Sequence, residues 1–287
     1  MADENSVMEF RLASVSIGGK GSAAHQFKGA LRGIAIDGDD RIYAVGDSSV
    51  KIFNIEGKLL RQWKTALPGF CVAVGGDGNV WVGEYRQVEI FDPQGALLDT
   101  WSDPDRLGLL TAIALRDDDV FVADASARWI RRFDRQGRFL NNIGDKHRKG
   151  GFHIPNGVVD FAIDNEGILH VANPGMHRVE RYTADGELLG HFGRFDGRDP
   201  AGFPGCCNPT NLALDHNGRV IVSEKAGPRA KIYSPEGQLL TVVSDDAFDP
   251  NAKNMDVAVD SAGRIYVVDT IRLEIRVFSP TTMEATG

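Results

Sequence analysis

Two adjacent cysteines, Cys206 and Cys207, are the residues whose types and spacing first suggest chemistry. They lie in the segment "GFPGCCNPTNLALDHNGRVIVSEKAG", after a run rich in Gly and Pro, and the 287-residue chain has only 3 cysteines. Adjacent thiols close an eight-membered disulfide ring only with a distorted peptide, so such a bond is strained and reducible. Soft thiolates also bind copper or zinc. The pair therefore indicates redox chemistry or soft-metal binding, unless both thiols simply pack within their loop.

Cationic and imidazole side chains follow the neighbouring strand patterns and are candidate companions of the cysteines. Nearby positive charge lowers the pKa of a thiol and so favours the reactive thiolate. We expect a ligand-binding face formed by these residues: Cys206, Cys207, Asn208, His153, Asn156, Asn173, His177, Arg178, Glu224, Lys225 and Arg229. His153 or His177 would be further ligands if the pair held a metal ion, although the chain has no CxxC or HxxxH spacing.

Six internal repeats set the frame in which these residues must lie. Each repeat reads as an apolar strand, a polar turn, a second strand, a loop, a third strand that ends in an aromatic residue, a Gly-containing turn and a fourth strand. The third-strand aromatic residues are Phe53, Phe91, Phe133, Tyr182, Tyr233 and Phe278. Four short strands cannot bury both faces alone, so the repeats must stack. We predict an all-β fold, a six-bladed β-propeller, with blades that start near residues 30, 69, 110, 158, 209 and 254.

The sixth repeat stops after its third strand, and we expect its fourth strand at the other end of the chain. The segment "EFRLASVSIGG" matches the fourth-strand pattern "GRFLNNIGD". Residues 8–18 should therefore complete blade six and close the ring, which hides sheet edges that would otherwise promote aggregation. The whole chain, residues 1–287, is predicted to be a single propeller domain.

Two repeats carry motifs of a known family. "DNEGILHVA" followed by "ANPGMHRVERY", and "DSAGRIYVV" followed by "VVDTIRLEIRVF", resemble NHL repeats, and the resemblance covers roughly residues 9–280. The NHL family includes binding scaffolds, lyases and lactonase-like hydrolases on one architecture. The resemblance therefore implies the fold and leaves the activity open.

Strand alternation brings one position of each repeat to the same end of the propeller axis. If the strands of a blade run up, down, up and down, the start of the first strand and the end of the second lie on one rim, here called the top. The first-strand positions are Gly33, Cys71, Ala112, Asp160, Asn211 and Asp256. Asp160, Asn211 and Asp256 offer hard oxygen ligands on consecutive blades, so they predict an axial metal site. The alternative is hydrogen bonds to neighbouring inner strands and channel waters.

A second polar ring and three long loops belong to the same rim. The ring, at the ends of the second strands, consists of Asp47, Glu84, Asp124, Asn173, Glu224 and Asp269. Because a polar residue recurs at this position in every repeat, we expect these side chains to form hydrogen bonds with the adjoining loops. The long loops "GDKHRKGGFHIPNGVV", "GRFDGRDPAGFPGCCNPT" and "SDDAFDPNAKN" enter blades four, five and six. Long loops on a rigid scaffold are where function usually resides, and one of these carries the cysteines.

Composition and charge narrow the class of partner. The formal net charge is −8 and no basic cluster is present, so we expect no nucleic-acid partner. No apolar run is long enough for a membrane span, and the first residues lack the pattern of a secretory signal. We expect a soluble monomer, either cytoplasmic or exported with its signal removed, that binds a protein or a small-molecule ligand.

Three functions remain open at this point, and no catalytic residue is assigned. The leading hypothesis is a non-catalytic propeller that binds a partner or small ligand on its top face. A second is a metal-dependent lyase or hydrolase, because similar propellers hold catalytic metals at the channel mouth. Lactonase-like enzymes take their ligands one place before the first-strand ring, where this chain has Arg32, Phe70, Thr111, Val159, Thr210 and Met255. A third is a thiol redox or soft-metal protein. The possible cofactor is a divalent metal, Ca, Zn or Cu.

Overall fold

Six four-stranded antiparallel sheets make up the computed structural model, which describes residues 9–144, 150–225, 227–243 and 246–281. Within each sheet the strands pair as neighbours in the chain, except where the N-terminal strand joins the last sheet. The first residue of the predicted closing strand, Met8, and parts of two predicted long loops, 145–149 and 244–245, lie outside the described residues. The prediction of an all-β, six-bladed propeller is confirmed.

The strand bounds follow the repeats. The strands of the first three blades are β2 (Gly33–Ile36), β3 (Ile42–Gly46), β4 (Ser49–Phe53), β5 (Leu59–Lys64), β6 (Cys71–Val74), β7 (Val80–Gly83), β8 (Gln87–Phe91), β9 (Leu97–Ser102), β10 (Leu110–Arg116), β11 (Asp119–Asp124), β12 (Trp129–Asp134) and β13 (Phe139–Ile143). The strands of the last three blades are β14 (Asp160–Ile163), β15 (Leu169–Asn173), β16 (Arg178–Tyr182), β17 (Leu188–Phe192), β18 (Asn211–Leu214), β19 (Val220–Glu224), β20 (Arg229–Tyr233), β21 (Leu239–Val243), β22 (Val257–Val259), β23 (Ile265–Asp269), β24 (Glu274–Thr281) and β1 (Glu9–Gly18). A short 3-10 helix, Pro174–Met176, follows β15.

The first strands of the blades form the wall of the axial channel. Each of them contacts the first strands of both neighbouring blades, and β22 contacts β2 to complete the circle. Each starts within three residues of its predicted blade boundary. In blade three the strand begins at Leu110 rather than Ala112, because a bulge between these two residues lengthens the pairing with β11. Asp256 lies directly before β22, and its carbonyl oxygen still accepts a ladder hydrogen bond from the Val268 amide at 2.9 Å.

The N-terminal strand closes the ring as predicted. β1 pairs antiparallel with β24, from Glu9 opposite Thr281 to Gly18 opposite Glu274, with a bulge between Leu12 and Ser16. Its residue Ile17 is fully buried in the cluster between blades six and one. The strand therefore supplies both the fourth ladder of blade six and part of the core that joins the two ends of the ring.

Aspartates fix the turns between first and second strands. The Asp37 carboxylate accepts a hydrogen bond from the Arg41 amide at 2.9 Å, and Asp164, Asp215 and Asp260 do the same for the amide four residues further on. These side chains replace backbone partners that a tight turn cannot supply. The same turn geometry recurs around the bottom of the ring.

Most of the core lies between blades. All six third-strand aromatic residues are buried. Trp63 of blade one packs on the turn glycine of blade two, Gly95, whose φ of 90° is in the left-handed region. A β-carbon at Gly95 would lie 2.6 Å from the Trp63 ring, so the turn requires glycine. The described part of the chain contains no helix long and apolar enough to cross a membrane.

Candidate functional site

Asp160, Asn211 and Asp256 lie together at the top of the axial channel. Asp160 accepts a hydrogen bond from the Leu212 amide of the next blade at 2.9 Å, and Asp256 accepts one from the Ile34 amide of blade one at 2.7 Å. Each carboxylate also accepts a hydrogen bond from the backbone amide of the residue that follows it. The two carboxylates therefore connect adjacent inner strands, which is the alternative that the sequence left open beside a metal site.

Asp160, Asn211 and Asp256 are here called the axial layer. Burial of the axial layer disfavours the negatively charged forms of its two carboxyl groups. It raises the pKa of Asp256 to about 7, and burial together with the charge of Asp256 raises the pKa of Asp160. Burial, and then the charges of both carboxylates, raise the pKa of the Cys71 thiol, which is part of the same channel wall. The Asn211 amide lowers the pKa of both carboxyls and so opposes the shift. Both carboxyls therefore hold their protons to a higher pH than an exposed aspartate does.

Metal binding by Asp160, Asn211 and Asp256 stays a prediction. Among the described residues no group of three or more His, Cys, Asp or Glu side chains is arranged to hold a metal ion. The carboxylate oxygens of Asp160 and Asp256 are occupied by backbone amides. These oxygens act in the packing of the inner strands.

A cavity of about 400 Å³ opens directly above the axial layer and is here called the mouth cavity. It is lined by Gly29, Ala30, Leu31, Arg32, Phe70, Leu109, Thr111, Asn156, Gly157, Val158, Asn211, Lys253, Asn254, Asp256 and Thr270. A second cavity of about 310 Å³ lies on the other side of the layer, between the six first strands. The mouth cavity combines two cationic side chains, Arg32 and Lys253, with the carboxyl of Asp256 and with apolar walls.

Arg32 is half-buried in the mouth cavity, and its guanidinium lies 4.4 Å from the centre of the Phe70 ring. The backbone amide of Arg32 donates to the Val45 carbonyl at 3.0 Å, whereas its guanidinium makes no hydrogen bond or ion pair with any described residue. The charge of the guanidinium interacts at longer range with Asp47. Burial lowers the pKa of Arg32, and Asp47 opposes that shift. A guanidinium stacked on an aromatic face keeps its N–H groups free at its edge, so Arg32 can bind an anionic group.

The second polar ring holds the segment that carries Arg32. Asp47 accepts hydrogen bonds from the Gly29 and Ala30 amides at 2.9 Å each, and from the Lys28 amide. Asp124 accepts a hydrogen bond from the Gly108 amide, and Asp269 accepts one from the Asp249 amide. Each donor lies in the loop that precedes the blade of its acceptor. The loop-bonding role that recurrence predicts thus occurs in these three blades.

Two amide oxygens in the mouth cavity lack partners. Asn156 donates to the Asn254 side chain at 3.1 Å, but the Oδ1 atom of Asn156 is buried and accepts no hydrogen bond from any described residue. The same holds for Oδ1 of Asn211. Buried polar atoms are normally hydrogen-bonded, so these two oxygens are exceptions within the described residues.

Cys206 and Cys207 lie in the loop before β18, on the same rim. Their sulfur atoms are 3.0 Å apart, and Cys206 is exposed whereas Cys207 is buried. A hydrogen bond from Cys207 and the charge of Lys225 lower the pKa of Cys206. Burial and the contact with Cys206 raise the pKa of Cys207. The two thiols therefore differ in both exposure and acidity.

The loop that carries the cysteines is held by a buried polar network. The Asn208 amide donates to the carbonyl oxygens of Pro204 and Lys225 at 2.8 Å each, and its Oδ1 accepts from the Lys225 amide. Lys231, which is fully buried, donates to the Gly202 carbonyl at 2.6 Å and to Glu224 at 2.9 Å. These bonds tie the loop to the second and third strands of blade five.

The other residues expected on the binding face divide by their contacts. Glu224 is buried and ion-paired with Arg229 at 2.5 Å and with Lys231, so Glu224 and Arg229 anchor the loop. Asn173 and Arg178 are both bonded to Glu180, at 3.1 and 2.7 Å, in blade four.

The two histidines lie nearer the surface. His153 is exposed and its carbonyl accepts from the Gly175 amide at 2.9 Å. His177 packs edge-on to Phe195, with 5.1 Å between the ring centres, and its buried Nδ1 atom has no partner among the described residues. Of the expected face, Asn156 joins the mouth cavity and Lys225 joins the cysteines.

Sequence reasoning did not identify Arg32, Phe70, Lys253 and Asn254 as site residues. A signal was present, because Arg32, Phe70 and Thr111 occupy the positions one place before the first-strand ring. In the sequence these three residues stood out only because they differ from the metal ligands of lactonase-like enzymes. In the structure all three line the mouth cavity.

Comparisons with known proteins place this architecture among β-propellers. No family description matches the chain. Protein brain tumor of Drosophila melanogaster is 27% identical over 124 residues, a match that covers 43% of this chain and only 11% of that protein.

Many solved structures are similar to this chain, and two of them illustrate the range. A protein of unknown function from Bacteroides thetaiotaomicron has a TM-score of 0.72 at 14% identity, covering 96% of this chain and 76% of that one. A catalytically inactive virginiamycin B lyase from Staphylococcus aureus, solved with quinupristin, has a TM-score of 0.63 at 13% identity, covering 94% of this chain and 99% of that one. At these identities the likeness shows the fold alone.

Proposed function

We propose that this chain is an NHL-type propeller, one domain over residues 1–287, that binds a small molecule with an anionic group in the mouth cavity. The repeat motifs support the family assignment, and virginiamycin B lyase solved with quinupristin supports ligand binding by a protein of this fold. The role is binding rather than catalysis.

Arg32 is the observation that carries this proposal. A guanidinium is charged at every physiological pH, and burying it without a partner is unfavourable. Arg32 is half-buried and stacked on Phe70, and its guanidinium has no hydrogen-bond partner among the described residues. A carboxylate matches its N–H groups in a bidentate geometry and compensates for the lost hydration.

The rest of the mouth cavity defines the remainder of the ligand. Phe70, Leu109 and Val158 supply apolar surface. The side chains of Lys253 and Asn254 add polar groups to the lining. The volume of about 400 Å³ is within the range of small-molecule sites. The ligand class is therefore a small carboxylate with an apolar body.

The same positions weigh against a metal-dependent hydrolase. Lactonase-like enzymes resembling this fold take metal ligands from the places that here hold Arg32, Phe70 and Thr111. The guanidinium repels a cation, the phenyl ring has no donor atom, and the Thr111 hydroxyl donates to the Val159 carbonyl at 2.7 Å. This set of side chains suits an anion better than a metal ion.

Ligand-detected NMR with matched probes tests the proposal. We expect benzoate and 4-hydroxybenzoate to bind, and the neutral isostere benzamide and the cation benzylamine to bind at least tenfold more weakly. Arg32→Gln should abolish the preference for the carboxylates. Arg61→Gln, on the exposed outer strand β5 of the same blade, is the control and should bind as the wild type does. Equal binding of benzamide and benzoate, or an unaffected Arg32→Gln variant, would refute the proposal.

A further inference from the structure

The cysteine pair has the geometry of a two-thiol reaction centre that the mouth cavity does not use. The sulfur atoms of Cys206 and Cys207 are 3.0 Å apart, so each lies within reach of a bond formed at the other, and closing the disulfide requires a local distortion of the peptide between them. Cys206 is exposed to reagents in solution, and Cys207 is buried behind it. This is a division between an attacking thiol and a resolving thiol.

We propose that Cys206 and Cys207 form a dithiol centre that exchanges two electrons with low-molecular-weight disulfides. The proposal is independent of the ligand of the mouth cavity. The redox partner is identified by its chemistry, as a small disulfide that can reach the exposed sulfur atom of Cys206.

The exchange proceeds in two balanced steps. The Cys206 thiolate attacks one sulfur of the small disulfide, forms a mixed disulfide and expels a first thiolate, which takes up a proton. Cys207 then loses its proton to solvent and attacks the Cys206 sulfur, which expels the second thiolate. Two cysteine thiols are oxidised to one disulfide, and one small disulfide is reduced to two thiols.

The surroundings of the pair favour the first step at Cys206. The hydrogen bond with Cys207, and then the charges of Lys225 and Lys253, lower the pKa of Cys206. A more acidic thiol supplies more thiolate near neutral pH, and the thiolate is the nucleophile. Burial raises the pKa of Cys207, so that thiol stays protonated until the mixed disulfide has formed.

The loop geometry keeps both sulfur atoms in place during the exchange. The Asn208 side chain bonds the loop to the carbonyl of Lys225 and to that of Pro204, at 2.8 Å each. Lys231 holds the Gly202 carbonyl at 2.6 Å from the other side. A disulfide between adjacent cysteines is strained, which favours return to the dithiol in the presence of small thiols. The centre is therefore suited to reversible exchange rather than to permanent cross-linking.

Glutathione disulfide is the probe that tests this centre. The folded protein is incubated with it, the reaction is quenched in acid, and the thiols are counted by mass spectrometry after denaturation and alkylation. We expect the wild-type chain to fall from three alkylated cysteines to one, and to return to three with excess reduced glutathione. Cys207→Ser should stop at a stable mixed disulfide on Cys206. Cys206→Ser should keep both remaining thiols.

Cys71→Ser is the matched control, because Cys71 is buried in the channel wall away from the loop. It should lose the same two thiols as the wild type. The proposal is wrong if the folded wild-type protein keeps all its thiols after incubation with glutathione disulfide. This holds whether or not the cysteine pair binds a soft metal ion. A Cys207→Ser variant that forms no mixed disulfide would overturn it equally.

Discussion

The guanidinium of Arg32 lies 4.4 Å from the centre of the Phe70 ring, and the two residues come from neighbouring blades at the mouth of the axial channel. The ring fixes the orientation of the arginine without using its hydrogen-bond donors. Asp47 holds the segment that precedes Arg32 by accepting the amides of Lys28, Gly29 and Ala30. The result is an oriented positive charge beside the mouth cavity, which is the basis of the proposed anion binding.

The axial layer predicts a pH-dependent stability that Asp256→Asn should reduce. The pKa of Asp256 is raised from 3.8 to about 7 in the folded state. Between these values the folded chain binds more protons than the unfolded chain, so the free energy of unfolding falls as pH rises through this window. Part of Asp256 faces the channel, so we expect a contribution of about 1–3 kcal/mol. Asparagine cannot titrate and removes it.

Urea unfolding between about pH 4.5 and about pH 8 measures this effect. Asp256→Asn also loses one hydrogen bond from a backbone amide, which lowers the free energy of unfolding by the same amount at every pH. The slope of the free energy of unfolding against pH therefore reports the titration, and the constant difference between the two curves does not. The pKa of Glu84 is also raised to about 7, by burial and by Glu89, and it contributes a slope of the same sign. Glu84→Gln is therefore the companion variant. Parallel curves for the wild type and Asp256→Asn would contradict the account.

The contact between Trp63 and Gly95 predicts a stability loss for Gly95→Ala. The new β-carbon would lie 2.6 Å from the indole ring, and the φ of 90° is unfavourable for alanine. We expect the free energy of unfolding to fall by about 2 kcal/mol. Gly76→Ala is the control, since its β-carbon would have no neighbour within 4 Å. Equal stabilities of the two variants in urea would show that the blade contact is unimportant.

Lys231 connects the buried Glu224 to the loop that carries the cysteines, so we expect its replacement to affect both stability and the reactivity of Cys207. Lys231→Met removes the bonds to Glu224 and to the Gly202 carbonyl. We expect a loss of about 2–4 kcal/mol in the free energy of unfolding, together with faster reaction of Cys207 with a thiol reagent because the loop loosens. The exposed Lys58→Met serves for comparison and should change neither quantity. Unchanged Cys207 reactivity in the destabilised Lys231→Met variant would mean that the loop is held by other contacts.

The fold was predictable because its signals repeat. The aromatic end of each third strand and the glycine of the following turn recur through the chain, and the missing fourth strand of blade six left the N-terminal segment as its replacement. Strand alternation also placed Asp160, Asn211 and Asp256 on one rim. These inferences need only local periodicity and the antiparallel order of strands.

The contents of the site were less predictable because they depend on contacts between blades. The strand pattern does not show that Arg32 stacks on Phe70, since the two lie on different repeats and meet through the paths of their loops. Glu224 was predicted on the binding face, and its ion pairs with Arg229 and Lys231 inside blade five were not predicted. A lysine in the middle of the apolar strand "RAKIY" was the available signal, because a buried ammonium needs an acidic partner.

The guanidinium signal of Arg32 tests the central claim most directly. In a proton–nitrogen correlation spectrum, the Nε–H resonance of Arg32 is assigned by its loss in Arg32→Gln, and the protein is then titrated with benzoate or benzamide. We predict that benzoate shifts this resonance in a saturable way, that benzamide does not, and that the Arg61 resonance stays in place with both. A resonance of Arg32 that does not move with benzoate, or that moves no more than that of Arg61, would contradict anion binding in the mouth cavity.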